Sequence, residues 1–133
     1  VSLQTFSEDK PPELFTISLL RAKFCELIAS ELKHPNVTPD TGFLLGMFSL
    51  IDALLNQPME EVLEEVALSE ELTSALLGEK SDLRKILDIA VAYEQGDWDQ
   101  VIALCKEENL SLGRLKQNYN AALEWYNLLQ SVG

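Results

Sequence analysis

Apolar residues recur along most of the chain at spacings of three and four, which is the period of an α-helix. The clearest stripe is formed by Leu14, Ile17, Leu20, Phe24, Leu27 and Ile28. These side chains share one helical face, so the pattern predicts a first helix from about Glu13 to Lys33. His34 and Pro35 end it, because the residue before a proline disfavours helical backbone.

A second helix is predicted from Thr38 to about Asn56. Thr38 is a suitable N-cap, and Pro39 fits the first helical position. Apolar residues cover nearly the whole circumference, which indicates a central helix that is buried on most sides. Gly42 and Gly46 are four positions apart on one face. They would let another helix approach closely, at a propensity cost of about 1 kcal/mol each relative to Ala.

Shorter amphipathic segments follow, at residues 58–66, 69–78, 81–96, 97–108 and from 111 towards the end. Ser69, Ser81 and Asp97 are the expected N-caps of the middle three. Gly78 and Gly96 are the expected stops, since glycine readily adopts the left-handed backbone that ends many helices.

No segment alternates apolar and polar residues over a useful length, so no strand is predicted. The pattern therefore predicts an all-α, globular domain of about six or seven helices, and not a regular bundle. We assign residues 1–12 to a polar N-terminal lead-in and residues 13–133 to the helical domain.

The chain carries 22 acidic and 10 basic residues, a formal net charge of −12. A surface of this sign repels phosphate backbones and anionic lipid headgroups. We therefore expect no nucleic-acid partner and no membrane partner.

Several features favour a soluble, cytoplasmic protein. No stretch approaches the roughly 18 apolar residues of a membrane span. The first residues have neither the basic start nor the apolar run of a signal peptide. Cys25 and Cys105 stand among apolar helical neighbours, which is typical of buried, reduced thiols. The chain does not begin with Met, and we expect it to belong to a longer protein.

Residues for catalysis are hard to find. His34, the single histidine, lies in a loop without a second His or Cys at ligand spacing, and is expected to have no role. Neither cysteine has a base nearby in sequence. The acidic run at 60–65 has the spacing of a solvated helix face, and no phosphate-binding loop is present. We expect no catalytic residue, no metal site and no cofactor.

A few residues depart from the pattern of an apolar stripe and a solvated face. Arg21 and Glu26 lie inside the first helix. Arg21 is expected to pair with a carboxylate at the buried edge of that helix, which is an orienting role. Tyr93 and Trp98 belong to a corner between two helices, where the favoured interpretation is that Trp98 packs in the corner; the alternative is a partner contact.

Trp125 and Tyr126 near the C-terminus fit either the core or an exposed docking face. Both interpretations stay open from the sequence.

Five segments in order resemble HDOD domains. Residues 20–29, Leu-Arg-Ala-Lys-Phe-Cys-Glu-Leu-Ile-Ala, are similar to the RA-x-FCE-LLA helix of that family. Residues 42–55 resemble its next helix, and shorter matches follow at 57–63, 68–71 and 92–98. The pattern is most similar to HDOD domains downstream of EAL cyclic di-GMP phosphodiesterase domains in bacterial signalling proteins. It covers about residues 13–98 well and the tail weakly.

The resemblance also implies a lost metal site. HDOD domains are related to HD-type metal phosphohydrolases, whose helix carries Gly-x-x-His-Asp. Counted from Gly46, the two metal-binding positions fall on Ser49 and Leu50, and neither side chain is a good metal ligand. Asp52 is nearby, but it lies two positions beyond the second of these metal-binding positions. The family's N-terminal half is missing, so the faces it would cover are exposed or buried in a homodimer.

The resemblance implies a non-catalytic signalling or output module that acts through protein contacts, in a cyclic di-GMP signalling protein. Its expected partners are other proteins or an adjacent EAL domain, which could itself be a phosphodiesterase. The alternatives are a divergent metal-dependent phosphohydrolase, a small-molecule sensor and a purely structural dimerisation domain.

Overall fold

A computed structural model describes residues 12–132, and within this range it contains eight helical segments and no strand. They are α1 (Pro12–Leu32), α2 (Pro39–Phe48), α3 (Ile51–Leu55), α4 (Met59–Glu65), α5 (Glu70–Leu76), α6 (Asp82–Gln95), α7 (Trp98–Glu107) and α8 (Leu112–Val132). The predicted all-α fold is confirmed. The lead-in, apart from Pro12, lies outside the described residues.

The helix starts follow the predicted capping residues. The side chains of Thr38, Ser69, Ser81 and Asp97 each accept a hydrogen bond from the backbone N–H three residues on. Each bond satisfies an amide that would otherwise lack a partner within its helix. At the other end of α6, Gly96 has a φ of 70°, the left-handed conformation predicted for a glycine stop.

The two glycines of α2 set its distance from α1. A Cβ on Gly42 would lie 2.7 Å from the carbonyl oxygen of Cys25, and one on Gly46 would lie 2.6 Å from that of Arg21. Any side chain would therefore meet backbone that cannot move aside. The close approach predicted from the sequence is confirmed, and α1 is the helix that makes it.

The predicted second helix is in fact two helices. It ends at Phe48, and α3 starts at Ile51 after a turn. The Ser49 hydroxyl donates to the carbonyl oxygen of Gly46 at 2.7 Å, and Leu50 has backbone angles of −115° and 10°. Serine competes with the helix for its carbonyl groups in this way, which explains the break that the apolar pattern did not reveal.

The core is built around α1, which packs against α2, α6 and α8. Its largest fully buried side chains are Phe24, Ile28, Leu45, Ile86, Ile89, Leu115, Val101 and Cys25. α8 runs antiparallel to α1, since Thr16 contacts Tyr126 near one end and Glu31 contacts Arg114 near the other. α2 contacts α1, α3, α5 and α6, as expected of a central helix, but it is less buried than predicted: only Gly42, Leu45 and Gly46 are fully buried, and Leu44 is exposed.

None of the helices in residues 12–132 is both long and apolar enough to cross a lipid bilayer.

Candidate functional site

Arg21 and Glu94 join α1 to the last turn of α6. Arg21 Nε lies 3.0 Å from Glu94 Oε2, and Nη2 lies 2.6 Å from Oε1, so the guanidinium holds both carboxylate oxygens. The two side chains are only 12% and 18% exposed. Bidentate pairs of this kind are geometrically specific, so the contact fixes the two helices relative to each other. Glu94 is thus the carboxylate that the sequence left unnamed.

The same guanidinium reaches the turn between α2 and α3. Arg21 Nη1 donates to Ser49 Oγ at 3.0 Å, and the Ser49 hydroxyl donates in turn to the Gly46 carbonyl. Ser18 of α1 donates to the carbonyl of Met47 at 2.9 Å, so a second side chain of α1 also holds this turn. One arginine therefore ties α1, α6 and the end of α2 together.

The surroundings of Ser49 are unfavourable for a cation. A hydroxyl is a weak metal ligand, and the positive guanidinium next to it would repel a divalent ion. Asp52 lies in the first turn of α3 and accepts a hydrogen bond from the Ala53 backbone N–H at 2.8 Å. In the described part of the chain, no group of three or more His, Cys, Asp or Glu side chains is placed to hold a metal ion.

An aromatic cluster continues from the ion pair to the surface. Tyr93 of α6 contacts Phe24, Tyr119 and Trp98, with ring centroids 5.4, 5.1 and 5.3 Å apart. The contacts with Phe24 and Trp98 are edge-to-face, a favourable arrangement for aromatic pairs. Trp98 packs in the corner on Tyr93, as favoured from the sequence, yet half of its surface, 50%, is exposed.

The two aromatic residues near the C-terminus contact α1 and α2. The Tyr126 hydroxyl is hydrogen-bonded to Thr16 at 2.8 Å. Trp125 packs edge-to-face on Phe43, with centroids 6.0 Å apart, and Lys23 Nζ lies 5.4 Å from its ring. Both are half-buried, so they hold α8 in place within the chain.

Glu26 is not part of the Arg21 cluster. Its carboxylate pairs with Lys23 Nζ at 2.9 Å, three positions earlier in the same helix. The structure therefore brings Tyr93 and Trp98 of the predicted residues into contact, and Arg21 pairs with Glu94, the residue after Tyr93. Glu26, Trp125 and Tyr126 make other contacts.

A groove opens beside the Arg21–Glu94 pair, with a volume of about 310 Å³. It is lined by Ile17, Leu20, Arg21, Glu94, Gln95 and Tyr119. Ile17 is 38% exposed there, although the sequence placed it on the buried stripe of the first helix. It lies in the groove that residues of α1, α6 and α8 border, so this edge of the stripe is left uncovered.

His34 has a structural role, so the expectation that it has none was wrong. Its Nε2 lies 2.9 Å from Glu108 Oε1, and Lys85 Nζ lies 3.1 Å from Glu108 Oε2. The hydrogen bond to Glu108 raises the pKa of the imidazole. Burial acts in the opposite direction, and the negative charge of Asp82 raises this pKa further. Burial alone would raise the pKa of Glu108, but the hydrogen bonds from His34 and Lys85 outweigh it and lower that pKa.

Both cysteines are buried and free of disulfides, as predicted. Burial raises the pKa of the Cys25 and Cys105 thiols, which keeps them in the unreactive protonated form.

The sequence analysis did not identify Glu94 or Tyr119 as members of this site, and it singled out Ser49 only as the position of a lost metal ligand, not as a partner of Arg21. The partners of Arg21 lie 73 and 28 positions away along the chain. Helical periodicity relates residues within one segment only, so no local signal could have paired them.

The chain is 38% identical over 122 residues to Uncharacterized protein YuxH of Bacillus subtilis, covering 90% of this chain and 28% of that protein. It is 35% identical over 119 residues to Cyclic di-GMP phosphodiesterase CdgJ of Vibrio cholerae, covering 90% of this chain and 27% of that protein. The chain thus spans little more than a quarter of the length of either relative. No family model matches it. No solved structure matches it.

Proposed function

We propose that this chain is a non-catalytic, HDOD-like regulatory module that acts through protein contacts within a cytoplasmic cyclic di-GMP signalling protein. The signalling context is supported by the similarity to a relative whose name is that of a cyclic di-GMP phosphodiesterase. Because only about a quarter of that relative is matched, its hydrolytic activity is not transferred to this chain.

The observation that carries the proposal is the contact between Arg21 and Ser49. When the sequence is aligned from Gly46 with the Gly-x-x-His-Asp helix of HD-type hydrolases, Ser49 occupies the position of a metal-binding histidine. Here the hydroxyl at that position accepts a hydrogen bond from a guanidinium that is also paired with Glu94. The position is used to join helices, and a metal ion there would face a fixed positive charge.

The partner that we propose is an EAL phosphodiesterase domain in the same polypeptide, with a second copy of the chain as the alternative. The acidic net charge and the exposed Trp98 are compatible with a contact surface, since aromatic side chains are enriched at protein interfaces.

The first test is metal content and turnover. The purified chain is incubated with Mn²⁺, desalted and assayed for bound metal and for hydrolysis of cyclic di-GMP. We expect less than stoichiometric metal and no hydrolysis. Turnover that is abolished by Ser49→Ala or Asp52→Ala would instead establish the alternative, a divergent phosphohydrolase.

The second test measures regulation directly. The 119 matched residues of the Vibrio cholerae relative are deleted, or replaced by this chain, and cyclic di-GMP hydrolysis is measured. We expect deletion to change the rate and replacement to restore it towards that of the intact relative. If deletion leaves the rate unchanged, the regulatory role is wrong.

A further inference from the structure

The outer face of α7 exposes large apolar side chains beside a groove. Trp98 and Ile102 lie one turn apart on this helix and are 50% and 48% exposed. The groove has a volume of about 350 Å³ and is lined in part by Ile102, Cys105 and Leu112. Leu112, at the start of α8, is itself 45% exposed. Single exposed apolar residues are ordinary on protein surfaces, but several that adjoin one groove indicate a contact site.

This face has the spacing of a helix–helix contact, with one charge of each sign beside it. Trp98, Ile102 and Cys105 follow one another at intervals of four and three, so they form a seam along α7. Asp99 and Lys106 are both exposed, and because they are seven positions apart they lie on the same side of the seam. Within residues 12–132, neither of them forms a salt bridge.

The seam is complementary to itself when two copies of α7 are placed antiparallel. A two-fold axis at Ile102 sets each residue opposite one that is about equally far on the other side of Ile102. Asp99 lies three positions before Ile102 and Lys106 four after it, so Asp99 of each copy faces Lys106 of the other. By the same count, Trp98 of each copy faces Cys105 and the groove of the other.

We propose that this face of α7 binds a second copy of the chain in an antiparallel, two-fold symmetric contact. Two opposite-charge pairs would set its register, and the two Trp98 rings would fill the grooves. The inference goes beyond the proposed function, because it adds a contact between two copies of the chain to the contact with another domain of the same polypeptide.

The net charge of −12 opposes self-association over most of the surface. The groove is an exception, since Lys106 is the charged side chain among its lining residues and no carboxylate lines it. At physiological ionic strength the screening length is about 8 Å, so acidic residues far from the contact repel only weakly. The local charges therefore decide whether two copies can approach through α7.

The first measurement is the mass of the full chain in solution. Sedimentation equilibrium is carried out from about 1 µM to about 1 mM, a range that covers weak and transient interfaces. We expect the mass to rise from that of one chain towards that of two as the concentration increases. The mass of one chain at every concentration would overturn the proposal.

Charge exchange then tests the antiparallel arrangement. Asp99→Lys sets lysine against lysine in both pairs, and Lys106→Asp sets aspartate against aspartate. Each variant alone should raise the dissociation constant of the dimer by about tenfold or more. An equimolar mixture of the two variants should restore the dimer, because each pair then has one lysine and one aspartate. If the mixture associates no better than either variant alone, the antiparallel pairing is wrong.

Substitution of the seam provides the control for position. Ile102→Lys places a charge at the two-fold axis and should also raise the dissociation constant by about tenfold or more. Leu77→Lys should leave it unchanged, since Leu77 is 44% exposed at the end of α5 and does not line the groove. An equal loss with Leu77→Lys would contradict a contact through α7. Circular dichroism checks that each variant is folded.

None of these outcomes bears on metal content, hydrolysis or the chimeric relative, which test the non-catalytic role separately.

Discussion

Arg21 and Glu94 stand 73 positions apart in the sequence, yet their side chains meet through charge-assisted hydrogen bonds, the two shortest of 2.6 and 3.0 Å. Because Arg21 also donates to Ser49, the pair connects three segments of the chain: α1, α6 and the turn after α2. A contact with so many partners contributes both to stability and to the relative placement of the helices that form the groove.

Removing one member of this pair should therefore destabilise the fold. We expect Glu94→Ala to lower the free energy of unfolding by roughly 2 kcal/mol, since it leaves a largely buried guanidinium without its carboxylate. Urea denaturation measures the change. The matched control is Arg114→Ala, which breaks the pair with Glu31; because Arg114 is 59% exposed, its loss should cost less than about 1 kcal/mol. Equal costs for the two variants would mean that the Arg21–Glu94 pair is an ordinary surface contact.

The glycine contact between α1 and α2 gives a second prediction. Gly46→Ala places a Cβ within 2.6 Å of the Arg21 carbonyl oxygen, so the helices must separate. We expect a loss of about 1–3 kcal/mol, in spite of the better helix propensity of alanine.

Gly113→Ala in α8 is the control for this variant. A Cβ at Gly113 has no heavy atom within 4 Å outside its own helix neighbourhood. It should stabilise the protein by up to about 1 kcal/mol. Thermal denaturation distinguishes the opposite signs, and a neutral or stabilising Gly46→Ala would show that α2 can shift at little cost.

These contacts show how far the sequence can predict the structure. The caps at Ser69 and Ser81, the stop at Gly96 and the close approach at Gly42 all arise from local backbone chemistry, and the sequence predicts each of them. The break at Ser49 was missed because a run of apolar residues on both sides of it suggests one continuous helix. The Arg21–Glu94 pair was missed because it depends on how α6 packs against α1, which no local pattern encodes.

The His34 cluster predicts a pH dependence with a definite sign. The pKa of His34 is raised on folding, so its contribution to stability is complete below about pH 6.5, its ordinary pKa, and is lost as pH rises through the folded pKa. The pKa of Glu108 is lowered, so its contribution is present above about pH 4.5 and is lost as pH falls through the folded pKa. Together they favour maximum stability between these two values.

The variant His34→Asn isolates the histidine contribution. We expect the urea midpoint of the natural chain to fall between pH 6 and pH 8.5, and that of His34→Asn to change less over the same range. The other charged groups of the cluster, Asp82, Lys85 and Glu107, are unchanged in the variant. Identical pH profiles would mean that His34 does not stabilise the fold through Glu108.

The buried cysteines give a measure of how often the core opens. Cys25 is fully buried and lies against the glycine face of α2, so a thiol reagent can reach it only when α1 and α2 separate. We expect Ellman's reagent to modify Cys25 at least roughly 10³-fold more slowly in the native protein than in urea, given ordinary domain stability. Ser30→Cys, at an exposed position of α1, supplies the freely accessible reference thiol. If native Cys25 reacts as fast as that reference, α1 and α2 are not held together in solution, and the Arg21 contacts that depend on their packing are not stable either.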